Sequence, residues 1–361
     1  MKSTLPGPLL QIERASLATS VGDDTRTTVA AMTAGLQRFV RQEIEGRQLT
    51  TAPAPDLVGQ RMGVARLAAL LYPALSALLD VEDNAPASRR THCLVAIPVW
   101  LSGTERAELS AAIGRLCAQQ LRGHTQVHLV PGGFEASYAA LQTAFAATAV
   151  RPHEPDAEPL AHRIVLAAVD SLCEPAILRR DDAAGLVHQA GNGNGWVAGE
   201  AAAAVLLSPV PSIRVVPADR FALHRPAIAP AQPGGAARWP GDTQGDGQIL
   251  QQVLEQALAH AGMQLHHISH GMADIDGSDW RAEDLFGALQ RLQAKEGEAW
   301  NGAAVEPALR TGQLGAAWGA FHWALAANLH AMGQEQINTV LSFDLDPSGA
   351  CAAAVMERSP L

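Results

Sequence analysis

The chain has 361 residues, 48% of them hydrophobic and 17% charged, with a formal net charge of −10. That balance excludes a disordered chain, and with no Lys/Arg-rich run it argues against nucleic acid or an anionic membrane as partner. Aromatic residues are only 4% while alanine and glycine abound, which suits tightly packed α/β layers.

Cys93, Cys117, Cys173 and Cys351 lie far apart and form no CxxC pair, so a zinc ribbon or thioredoxin motif is excluded. The first residues lack the apolar stretch of a signal peptide, and no window holds ~18 uninterrupted apolar residues. A cytoplasmic location is expected, with no cofactor and no metal. His266, His267 and His270 precede Asp274, Asp276 and Asp279, but the calcium-loop pattern fails at Leu285. They are expected to form a polar loop. Gly191 to Gly195 is glycine-rich but precedes a strand, so a phosphate cradle is not expected.

In chain order, Leu9 to Ala18 is a strand candidate. Val21 to Asp24 is a turn and helix cap. Val29, Met32, Leu36, Phe39 and Val40 follow at helical spacing, which predicts a helix to about Glu45. A second helix is expected from Asp56 to Asp80, with Pro73 a kink or break. Cys93 to Trp100 is an apolar run of strand length, covered on both faces. A helix over Thr104–Leu121, a strand over Thr125–Val130 and a helix over Phe134–Ala149 come next. Pro152 to Pro159 is an acidic loop. Arg163–Val169 and Ala198–Leu207 are buried strands.

Residues 225–248 are dense in Pro, Gly, Ala and Gln, which predicts a linker or loop between an N-terminal half (1–224) and a C-terminal half (249–361) of one compact unit. Helices are expected over Ile249–Ala261, Arg281–Ala294 and Leu314–Met332. Strands are expected over Gln264–Ser269, Ile337–Leu345 and Ala350–Met356. Trp318 and Trp323 belong to the core. Trp239, in the linker, is the candidate for contact with a partner.

The stretch from Leu129 to Leu141 carries the chemistry. A strand breaks on Pro131-Gly132-Gly133 and feeds a small-residue helix. Many α/β enzymes present a nucleophile at such a turn, where unpaired N–H groups and the helix dipole favour negative charge. The residue here is Glu135, neither Cys nor Ser.

Several stretches, in order along residues 9 to 357, resemble β-ketoacyl synthases of the thiolase superfamily. They are Ala18 to Gly22 with the helix ending Thr33-Ala-Gly35, Val169-Asp-Ser171, Val197-Ala-Gly-Glu-Ala to Leu207, Thr311-Gly-Gln-Leu-Gly to Ala320, and Ser342-Phe343. The resemblance implies two similar halves with mixed five-stranded sheets layered as α/β/α/β/α. It also implies a Cys nucleophile, two His, a Lys and a glycine turn that completes an oxyanion hole.

Set on this sequence, the Cys position is Glu135, the second His is Gln313 and the Lys is Ala308. The first His falls on Met272 or Asp274. The gating aromatic falls on Leu345, and the glycine turn ends at Pro347, which has no N–H. Glutamine donates hydrogen bonds but transfers no proton at neutral pH. The resemblance therefore implies a pseudoenzyme without acyltransferase activity, a binding, adaptor or assembly partner. Degenerate thiolase-like chains of this kind resemble accessory proteins encoded beside type VI secretion effectors, which implies an adaptor or chaperone role. Alternatives are a thioester hydrolase or decarboxylase using Glu135, and a chain-length-factor-like partner of an active ketosynthase. The family pairs the strand before the nucleophile across a two-fold axis. Here that is Thr125, Val127 and Leu129, which implies a homodimer or a heterodimer with a related chain.

Overall fold

The computed structural model describes residues 9–79, 91–120, 125–148, 163–210, 212–231, 247–333 and 336–359. The N-terminal part runs β1 (Leu9–Thr19), α1 (Thr25–Thr33), β2 (Val40–Ile44), β3 (Arg47–Ala52), α2 (Pro55–Val58), α3 (Gly63–Leu79), β4 (Thr91–Pro98), α4 (Gly103–Gln120), β5 (Thr125–Gly132), α5 (Ala136–Thr148), β6 (Arg163–Ser171), α6 (Pro175–Ala183) and β7 (Ala198–Val210). The C-terminal part runs β8 (Phe221–Leu223), β9 (Ala227–Ala229), α7 (Gln248–Ala261), β10 (His270–Ala273), α8 (Asp279–Glu296), β11 (Ala303–Val305), α9 (Ala308–Thr311), α10 (Trp318–Ala331), β12 (Thr339–Leu345) and β13 (Cys351–Arg358).

One plan is used twice. In the first half, β1 pairs antiparallel with β7 and β7 with β6, then β6 pairs parallel with β4 and β4 with β5. In the second, β8 pairs antiparallel with β13 and β13 with β12, then β12 pairs parallel with β10 and β10 with β11. Leu10 opposite Leu223 and Gln11 opposite Ala222 join the two half-sheets into one hydrogen-bonded path.

The helices complete five layers. Helices α3 and α4 cover the outer face of the first half-sheet, with Leu67, Leu71 and Leu109 packed on Val95 and Val165. On the outer face of the second, α7 and α8 bring Leu254 and Leu292 against Leu341 and Val355. Between the sheets lie α5 and α10, which share a core with β1, β4, β6, β7, β12 and β13. Strand β6 is buried along its whole length because it is covered on both faces. Helix α10 is buried on nearly every side, so it carries no polar face. The expected α/β/α/β/α architecture is present.

Several local expectations are corrected. The predicted helix to Glu45 ends at Thr33. Leu36 N–H donates to Ala31 and Gly35 N–H to Met32, and Gly35 takes the left-handed φ of +68° that closes such a cap. Val40 then enters a hairpin, β2–β3, that turns on Glu45 and Gly46, both with positive φ. Leu36 and Val40 had mimicked a helical face, yet they are 58% and 40% exposed.

The long second helix divides into α2 and α3, and Pro73 sits inside a continuous α3. The strand expected at Gln264–Ser269 is a 3₁₀ turn at Leu265–His267, and the strand proper begins at His270. Gly315–Ala317 is likewise a 3₁₀ turn ahead of α10. Within 225–248, Ala227–Ala229 pair with β13. Trp239 and the acidic loop at 152–159 lie outside the described residues.

Candidate functional site

The site is built where β5 gives way to α5. Phe134 is buried and Glu135, half-buried, is the last residue before α5, its carbonyl accepting from Tyr138 and Ala139. The Glu135 carboxylate folds back to accept from Gly133 N–H at 3.3 Å. A second carboxylate, Asp346, accepts from Phe134 N–H at 3.2 Å. A side chain at Gly133 would meet the Asp346 carboxylate and push it off the Phe134 N–H. Burial raises the Glu135 carboxyl above its ordinary range and the Asp346 charge adds to this, against the turn's N–H groups.

Beneath this turn lies a buried ionic network. Gln313, fully buried, donates to Asp274 O at 2.7 Å and to Asp276 Oδ2 at 2.9 Å, and accepts from Trp318 Nε1 at 2.8 Å. Its amide is thereby fixed in one orientation. Asp276 also caps Ser278, taking its N–H at 3.0 Å and hydroxyl at 2.6 Å. Asp274 Oδ2 accepts from Leu345 N–H at 3.2 Å.

At the centre stands Arg281, from the first turn of α8, with no exposed surface. Its Nη1 meets Asp276 at 2.7 Å and its Nε lies 3.3 Å from Asp274. Its guanidinium carbon is 4.4 Å from the Trp280 ring centre, 5.5 Å from Trp196 and 5.6 Å from Phe134. Burial pushes Asp274 up to about 7, with Asp276 adding and Arg281 opposing.

The remaining predicted positions are placed as follows. Ala308 opens α9 and packs in the central core with Met272. Between Met272 and Asp274, only Asp274 joins the polar network. Leu345 is buried at the end of β12, and Pro347 is buried in the turn that follows. Strand β5 is the last strand of its half-sheet. Thr125, Val127 and Leu129 are half-buried, and Gln126 and His128 are exposed. His266 pairs with Glu298 at 3.1 Å, His267 accepts from Gln264 N–H, and His270 meets Ser269, so the three histidines take separate partners. Among the described residues no three His, Cys, Asp or Glu side chains converge as a metal set, and no helix is long and apolar enough to cross a membrane.

No protein-family model matches the chain, and no curated protein matches it in sequence. Solved structures do match in shape. The ishigamide ketosynthase/chain length factor superposes with a TM-score of 0.67 at 17% identity, covering 98% of this chain and all of that one. AntDE:AntF, a type II ketosynthase with its acyl-carrier protein, gives 0.73 at 13% over 98% and 100%. The oxazolomycin ketosynthase domain from Streptomyces albus JA3453 gives 0.72 at 13%, covering 98% of this chain and 75% of that one.

This chain has the thiolase-like ketosynthase fold. Within that fold, Glu135 holds the start of the central helix α5, and Gln313, Asp274 and Leu345 are brought into one network. Sequence reasoning missed Arg281 and Asp346. Asp346 lies between Leu345 and Pro347, in the turn set against the family's glycine turn. The signal for Arg281 was an arginine beside Trp280, five residues after Asp276, in a helix whose start was placed two residues late.

Proposed function

We propose that this chain is a non-catalytic thiolase-fold protein that acts as a binding or assembly partner, pairing through the free edge of β5. One observation supports this most: carboxylates of the chain's own side chains take up backbone N–H groups around the Glu135 turn. Asp274 occupies the Leu345 N–H, Asp346 the Phe134 N–H, and Arg281 the centre between them. An oxyanion forming at this place would meet carboxylates rather than open donors. A chain-length-factor-like role beside an active ketosynthase agrees with the ishigamide structure and with the PfaC keto synthase–chain length factor, which matches at 12% identity and a TM-score of 0.71 over 43% of that chain. An adaptor role beside a type VI secretion effector is a narrower version of the same proposal.

Among the described residues the β5 edge leaves one side of its backbone unpaired, and unpaired edges add strands. Antiparallel pairing about a two-fold axis would bring the Gln126 and His128 of two protomers together. Light scattering at micromolar concentration should report a dimer, alone or with a Cys-bearing ketosynthase. Gln126→Glu with His128→Glu should raise the dissociation constant about tenfold or more by placing like charges across the junction. A wild-type chain that stays monomeric in both settings overturns the pairing.

The raised Glu135 carboxyl favours a second reading, a thioester hydrolase or decarboxylase with Glu135 as base. It requires turnover of acetyl or malonyl thioesters that Glu135→Gln abolishes. Wild-type turnover of that kind sinks the non-catalytic reading.

A further inference from the structure

We infer that the free edge of β11 and the groove beside it form a docking site for an extended peptide segment of a partner protein, one carrying apolar side chains and a single carboxylate. The inference goes beyond the proposed function and does not depend on pairing at β5, which lies at the other end of the sheet.

The two ends of the sheet are built differently. Strand β5 pairs with β4 from Thr91 opposite Thr125 to Pro98 opposite Gly132, whereas β11 pairs with β10 only from His270 opposite Ala303 to Met272 opposite Val305. Ala303 N–H donates inward to Ser269 O at 2.9 Å. Backbone groups alternate along a strand, so the N–H and C=O of Ala304 face outward, and among the described residues no strand takes them. Ala303 and Ala304 are exposed and too small to hold another backbone away.

Beside this edge runs an open groove of about 380 Å³. Leu325, Leu329 and Ile337, at the margin of the central core, form its floor, and half-buried Met32, Val305 and Leu309 line its walls. Arg310 stands at the end next to α1, its guanidinium 3.6 Å from where a side chain on Gly35 would begin. Among the described residues that guanidinium has no hydrogen bond or ion pair.

An occupant has to match edge, floor and charge together. One outward N–H and C=O pair gives an added strand only a short ladder, so most of the affinity comes from side chains in the groove. The apolar floor selects aliphatic side chains, and the unpartnered guanidinium selects a carboxylate. Exposed Glu306 lines the same groove and repels a second acid, while His270, whose pKa burial lowers, adds no positive charge at neutral pH. One acidic residue among apolar ones is the pattern that fits. A small amphipathic anion would use the floor and Arg310 but not the Ala304 backbone.

Selection of a random peptide library displayed on phage, against the full chain, tests this, with enriched peptides then titrated by fluorescence anisotropy. Ala304→Pro removes the outward N–H and leaves the bond from Ala303 to Ser269, and Arg310→Glu reverses the charge. The expected result is peptides that combine Val, Ile or Leu with one Asp or Glu, and whose dissociation constant each variant raises about tenfold or more. If either variant lowers the urea-unfolding midpoint, N-methylation of the peptide backbone and exchange of its acid for the amide make the same two cuts on the wild-type chain. The absence of any enriched peptide, or enriched peptides that tolerate either cut, overturns the proposal. Tolerance of the backbone cut alone overturns it in favour of a small amphipathic anion. A wild-type oligomer that Ala304→Pro breaks overturns it in favour of a second copy of this chain.

Discussion

Arg66 and Arg281 both reach inward from the outer helices to buried carboxylates, Arg66 from α3 on the first half-sheet and Arg281 from α8 on the second. Their surroundings differ. Glu200 takes Arg66 Nε at 2.7 Å and Nη2 at 2.9 Å, and also Ser171 Oγ at 2.6 Å and Ala54 N–H at 2.6 Å. Arg66 Nη1 is held by Arg61 O. Every polar atom of that pair is used. Around Arg281, Asp274 Oδ1 and Arg281 Nε lack aligned partners among the described residues, and three aromatic rings stand beside the guanidinium. The first pair is a fully satisfied tie between α3, β6, β7 and the segment before α2. The second is a charge fitted into a space whose walls are the rings of Phe134, Trp196 and Trp280.

Breaking the complete pair should have the largest effect. Glu200→Ala strands a buried guanidinium and two backbone or hydroxyl donors, and should cost about 3–5 kcal/mol in urea unfolding. Arg281→Ala removes a cation whose hold is partly cation–π, and should cost less, about 2–4 kcal/mol. Its loss should also depend on pH. Asp274 titrates near 7 when folded, above the ordinary carboxylate value, so its burial destabilises as pH rises from the unfolded value toward 7 and is harmless below that window. Arg281 opposes that rise. Removing it moves the folded pKa higher, so the deficit of Arg281→Ala should be larger at about pH 8 than at about pH 5. An equal deficit at both pH values would mean that Arg281 contributes packing rather than charge.

The same contrast shows what a single sequence can reveal. Glu135 was legible because strand, glycines and helix are contiguous, so the position of its side chain follows from local chain geometry. Glu200 lay in a recognisable Gly-Glu-Ala strand, but Arg66 is 134 residues away and no local pattern links them. Arg281 is joined to Asp276 within five residues, yet its buried role depends on Phe134 and Trp196 from the other half of the chain. The duplicated plan was invisible as a residue repeat because what the halves share is strand order and direction, which many sequences satisfy. The β2–β3 hairpin was lost to a coincidence of spacing that Gly35 interrupts.

The smallest predicted effect bears on the position from which the chemistry would start. The Glu135 carboxyl is raised when folded, by burial and by Asp346, so its ionised form opposes folding above the ordinary carboxylate range and not below it. Gln at this position keeps an oxygen for Gly133 N–H and turns a neutral amide toward Asp346. Glu135→Gln should therefore stabilise the chain at about pH 8, by no more than about 0.5 kcal/mol because the side chain is only half-buried, and should be neutral near pH 4. A satisfied structural cap would give a loss at both pH values, as removal of a good N-terminal acceptor does. A gain confined to high pH would mean that the fold tolerates this carboxylate rather than needing it. The reason for its presence would then lie in what binds over the turn, and the same variant should be carried into the partner-binding measurements at β5.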